Sequence, residues 1–121
     1  MHPAISEGIE LFNSRRYFEA HEALESLWLQ EQGDEKLFLH GLIQVAAAFH
    51  HFQQHNRDGF RSLLQKGLAK LEQFSEDRYG LDVQDFLTQL RPWLAAAQGQ
   101  EPAATTLPLP VVRTLGGRST S

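Results

Sequence analysis

From Leu37 to Asn56 the chain runs twenty residues without an aspartate, glutamate, lysine or arginine, and no other stretch constrains the fold as much. Its length matches a membrane span. Yet it carries His40, Gln44, His50, His51, Gln53, Gln54 and His55, a polar load unsuited to hydrocarbon. What remains is a helix buried at the centre of a protein that does not enter the membrane. Around it the apolar residues recur at helical spacing, and no segment alternates as a strand does. The fold class is therefore all-α, a single bundle of about five helices.

The bundle is expected over residues 1–98, and a low-complexity tail over 99–121. The first helix runs from about Pro3 to Phe12, with Pro3 in its opening turn, and Asn13-Ser14-Arg15 forms the turn that follows. The second spans Tyr17 to about Gln30, and Gly33-Asp34 ends it and caps a third over roughly Glu35 to His55. Asn56 or Asp58 caps a fourth, which buries Phe60, Leu64, Leu68 and Leu71 and stops at Arg78-Tyr79-Gly80. Asp82, with Asp85 three residues later, opens a fifth, which Pro92 should kink or split. The tail has no core of its own, and docking through Leu107, Leu109 and Val111 is what could order it.

Charge and cysteine usage narrow the function. The formal net charge is -4, and six acids with no base lie between Tyr17 and Glu35. A nucleic-acid partner needs a basic patch and is not expected, nor is a membrane. A protein partner or a second copy is allowed. The chain contains no cysteine, which excludes disulfides and thiolate chemistry. The N-terminus lacks the basic and long apolar regions of a signal peptide. Both features suit a cytoplasmic protein.

One polar constellation stands out. With Tyr17 at 0° on a helical wheel, Leu24, Leu27 and Trp28 fall at about 340°, 280° and 20°, and Phe18 and Leu29 at about 100° and 120°. His21 and Glu25, one turn apart, land between these apolar groups at about 40° and 80°, with Glu22 at the boundary. On the third helix His40, Gln44, Ala47 and His51 form a narrow stripe, which His55 extends. Consecutive helices joined by a short loop pack antiparallel, so the stripe can face His21 and Glu25.

Three accounts compete for these residues. One is a structural hydrogen-bond network that locks the helices in register, since buried polar groups must be paired. The second is a divalent-metal site of His21, Glu25 and His51, with Glu22, His40, Gln44 and His55 as alternative or supporting ligands and Trp28 as a wall. Imidazole and carboxylate together suit zinc, iron, nickel or manganese. The third is metal-free acid–base chemistry by a His–Glu pair. No organic cofactor is indicated and no reaction is named. His21-Glu22-Ala23-Leu24-Glu25 falls short of H-E-x-x-H because Glu25 replaces the second histidine. The Glu-x-x-His pair of di-iron bundles and the P-loop, dinucleotide and G-x-S-x-G fingerprints are absent.

The runs from Phe12 to Trp28 and from Gly41 to His51 resemble the bacterial and archaeal domain of unknown function 309, whose signature is His-x-x-x-Glu-x-x-Trp/Tyr. His21, Glu25 and Trp28 match that signature. The resemblance covers about residues 5–95 and implies a small helical bundle without an assigned activity, for which the motif suggests metal binding. Such proteins often carry glycine where Arg15 stands. Tyr17-Phe18-Glu19-Ala20 with Ala23-Leu24 also resembles part of a tetratricopeptide helix pair, which suits a helical interaction module. No second copy lies about 34 residues away, so a repeat array is excluded. The expected function is divalent-metal binding at His21, Glu25 and His51. The alternative is a protein-interaction module in which these residues form a structural network.

Overall fold

The computed structural model describes residues 2–74, 76–100 and 106–115. Within them lie five helices: α1 (Pro3–Asn13), α2 (Tyr17–Trp28), α3 (Gly33–Gln53), α4 (Arg57–Leu71) and α5 (Val83–Ala97). There is no strand among these residues, only the isolated bridges of Leu81 with Arg78 and Thr114. None of the described helices is long and apolar enough to cross a membrane.

Local chemistry sets most boundaries. The His2 ring accepts the Ala4 N–H at 3.0 Å, and Pro3 follows it at the start of α1. The turn into α2 places Arg15 at φ 66°, a left-handed conformation that costs a residue with a Cβ about 1–2 kcal/mol. Glycine at this position would adopt that geometry without the penalty. The Arg15 carbonyl accepts from the Gln53 side chain at 3.0 Å, a bond that glycine would keep. Arg15→Gly is therefore expected to stabilise the fold by about 1 kcal/mol in urea unfolding.

Some boundaries differ from the sequence reading. α2 stops at Trp28, and Gly33 is the first residue of α3 rather than a stop before it. Asp34 and Glu35 occupy the first turn of α3, where the helix dipole favours acids, and Glu35 holds Arg78 at 2.9 Å. Asn56, not Asp58, caps α4, its side chain accepting the Gly59 N–H at 3.0 Å. α4 ends at Leu71, well short of Gly80, because its apolar stripe ends there and Phe74 turns in against Phe38. Asp82 caps α5 through the Asp85 N–H. Pro92 does not split α5: Leu90 and Trp93 on either side of it are buried in the core, and that packing carries the helix through.

Every helix brings an aromatic ring to the core. Phe12 of α1 meets Tyr17 of α2, Phe49 of α3 and Phe86 of α5. Phe49 in turn meets Phe60 of α4 and Trp93 of α5, each at 5.2 Å between ring centroids and steeply inclined. α3 is the central helix and packs most extensively on α4. Their backbones close in where Gly41 faces Gly67.

The segment 106–115 returns along α5. Leu107 and Leu109 pack on the core, and Val112, rather than Val111, is the valine that is buried.

Candidate functional site

α2 and α3 run antiparallel. The Trp28 ring lies 5.5 Å from that of His40 near one end, and Phe18 lies 5.3 Å from His50 near the other. Between these contacts opens a cleft of about 210 Å³, lined by His21, Glu25 and Trp28 of α2, His40, Ile43, Gln44 and Ala47 of α3, and Leu63 of α4. The wall of α2 that carries His21 and Glu25 thus does face the polar stripe of α3.

The arrangement departs from the expected site in three respects. First, the polar site is not fully buried: His21, Glu25, His40 and Gln44 are half-buried, and no described polar residue is buried completely. Second, His51 does not line the cleft. Its ring lies at the start of α4, where Nδ1 pairs with the Asn56 amide nitrogen at 3.0 Å and the ring edge closes on Gly59. The cap of α4 holds this histidine against the next helix. Third, no group of three His, Cys, Asp or Glu side chains among the described residues is placed to hold a metal ion. His21 and Glu25 alone do not make a protein-only metal centre. Glu22 and His55 are exposed and absent from the cleft lining, and His55 stands at φ 60° in the turn after α3.

A structural network is not assembled either. His21 Nδ1 and Gln44 Oε1 are buried atoms without a hydrogen-bond partner among the described residues. Glu25 takes part in none of the ion pairs found among the described residues, which lie elsewhere. Unpaired buried polar atoms normally destabilise a fold by about 1–3 kcal/mol each.

Sequence reasoning missed three neighbours. Lys36 sets its ammonium 4.6 Å from the centroid of Trp28. Leu63 closes the α4 side of the cleft, one step off the stripe read from spacing. Phe18, 48% exposed, stacks on the His21 ring. Its position on the wheel, level with Leu29, was the available signal.

Burial, aided by the Lys70 charge, lowers the pKa of His40. A histidine whose folded pKa lies below its unfolded value contributes stability that is complete above the unfolded value and lost as pH falls through the folded one. Stability is therefore expected to fall from pH 7 toward pH 5, and His40→Gln should flatten that slope in chemical unfolding at several pH values.

Fold and site together define a small all-α bundle with a half-buried His–Glu cleft between two adjacent antiparallel helices. Residues 5–63, which span most of α1, all of α2 and α3 and the first part of α4, match the family described as Domain of unknown function (DUF309). The match is shorter than the extent read from the sequence and includes every residue lining the cleft. The chain is also similar to "Uncharacterized protein YpuF" of Bacillus subtilis (strain 168), with 32% identity over 65 residues. That similarity covers 53% of this chain and 37% of the relative.

Proposed function

We propose that the α2–α3 cleft is a ligand-binding site for a cationic, hydrogen-bond-donating group, an ammonium or a guanidinium. The observation that carries this reading is the pair of unpartnered polar atoms, His21 Nδ1 and Gln44 Oε1, on residues that flank Glu25 in one cleft. Carboxylate and amide oxygens accept hydrogen bonds, and so does the unprotonated nitrogen of a neutral imidazole. Glu25 thus offers acceptors at the cleft wall, and side-chain rotation of Gln44 and of His21, in the tautomer that leaves Nδ1 unprotonated, would add two more for a ligand rich in donors. Ile43, Ala47 and Leu63 suit the apolar stem of such a ligand. The Trp28 face already attracts one ammonium, that of Lys36. The ligand's charge belongs at the His21–Glu25 end, since Lys70 makes itself felt at His40.

Divalent metal is the competing ligand, because the His21–Glu25 pair fits the signature that the resemblance implies and both side chains line the cleft. Its remaining coordination positions would have to come from water or from a bound ligand. Titration distinguishes the two. N-acetyl-arginine amide is expected to change tryptophan fluorescence saturably, with a Kd on the order of 1 mM or tighter. Glu25→Gln should abolish the response. Stoichiometric zinc, iron, nickel or manganese that raises the melting temperature, with no response to the arginine probe, would replace this reading by the metal one.

A further inference from the structure

The segment 106–115 is held as a bound peptide is held. It runs antiparallel to α5, in a groove closed on its other side by the C-terminal end of α1. Two side-chain amides clamp its backbone. Gln89 accepts the Val111 N–H and donates to the Val111 carbonyl, each at 2.9 Å. Asn13 does the same for Val112, at 2.8 and 2.9 Å. Further along, Asp82 N–H donates to the Arg113 carbonyl and Leu115 N–H to the Gly80 carbonyl, both at 2.8 Å. At the other end the Trp93 indole donates to the Pro108 carbonyl at 3.0 Å.

These bonds read backbone, and side chains supply the selectivity. Pro110 is buried. Val112 plugs the core among Phe38, Leu42, Leu71 and Phe86. Arg113 pairs with Asp85 at 2.8 Å. The side chains that engage the groove are thus those of Pro110, Val112 and Arg113.

We propose that this groove is a peptide-binding site, filled in cis by residues 106–115 and able to take the same segment from a second copy of the chain. The argument for that occupant is complementarity already displayed: the segment that fits is carried by every copy. An exchange would repeat the same contacts in trans, and when two chains exchange segments reciprocally the assembly closes as a two-fold dimer.

Complementation between two full-length variants tests this. One, Asn13→Ala with Gln89→Ala, keeps the segment and loses the clamps. The other, Val112→Asp with Arg113→Asp, keeps the clamps and loses the segment's side chains. Each alone should be monomeric by light scattering, and the mixture should form a 1:1 heterodimer that an added peptide of residues 106–115 dissociates. A mixture that stays monomeric while both variants keep helical circular dichroism overturns the proposal. So does peptide binding to the second variant without any heterodimer. Should either variant fail to fold, hydrogen exchange on the wild type decides. The Val111 and Val112 amides are expected to exchange at least roughly tenfold faster than core α3 amides, through release of the segment alone. Exchange only with global unfolding would mean that the groove never opens, and the proposal fails.

Discussion

Trp93→Ala is expected to lower the free energy of unfolding by about 3–5 kcal/mol. The domain's total is on the order of 5–15 kcal/mol, so the variant should stand close to the edge of folding. The indole is 2% exposed and packs edge-on against Phe49, Phe52 and Phe60, at 5.2, 5.1 and 6.0 Å between centroids. Its removal therefore opens a cavity where α3, α4 and α5 meet. It also deletes the indole bond to Pro108 and so loosens one end of the segment 106–115. Trp93→Phe separates the two effects. It keeps a ring in the core and loses the hydrogen bond, at an expected cost of about 1 kcal/mol. Urea unfolding of both variants beside the wild type gives the comparison.

Gly67→Val should cost about 3 kcal/mol, at the upper end of overpacking effects. A Cβ at Gly67 would lie 2.9 Å from the Gly41 carbonyl oxygen and 3.1 Å from the Val45 nitrogen, both backbone atoms of α3. A side chain could turn aside, but a helix backbone cannot, so α3 and α4 must separate. Gly59→Ala makes a useful contrast. The atoms nearest to a Cβ there belong to the side chains of Asn56 and His51, so relief disturbs the α4 cap, at about 1 kcal/mol, and leaves the helix backbones in place. A loss for Gly59→Ala as large as for Gly67→Val would contradict this packing account.

The five helices were legible because three independent signals agreed along most of the chain. Apolar periodicity placed the stripes, the buried Phe60, Leu64, Leu68 and Leu71 among them. Asn56 and Asp82 announced their helices as caps. The absence of alternating runs excluded a sheet. Where the reading failed, tertiary packing had overruled a local signal: Pro92 is carried through α5 by its buried neighbours, and α4 stops where its stripe ends rather than at the next glycine.

The candidate site was legible by halves. A helical wheel gives angle, and angle correctly set His21 and Glu25 against His40 and Gln44. It does not say which side chain a cap will seize, and Asn56 draws His51 toward α4. Nor could spacing reveal that Gln44 and His21 would be left with unpaired atoms, since pairing depends on distances that no periodicity encodes. The two clamps on residues 106–115 were beyond reach for a similar reason. Asn13 reads only as part of a turn, and Gln89 carries no signal, until the chain that they bind is seen to return.

If the cleft is a binding site as proposed, its polar atoms are held ready at the expense of stability. Urea unfolding of Gln44→Met beside the wild type tests this most directly, because methionine keeps the length of the side chain and removes the unpaired oxygen. A binding cleft predicts a variant more stable by about 1 kcal/mol, since a buried atom without a partner is gone. A variant less stable than wild type by a similar amount would show that Gln44 belongs to a satisfied structural network, and it would contradict the account.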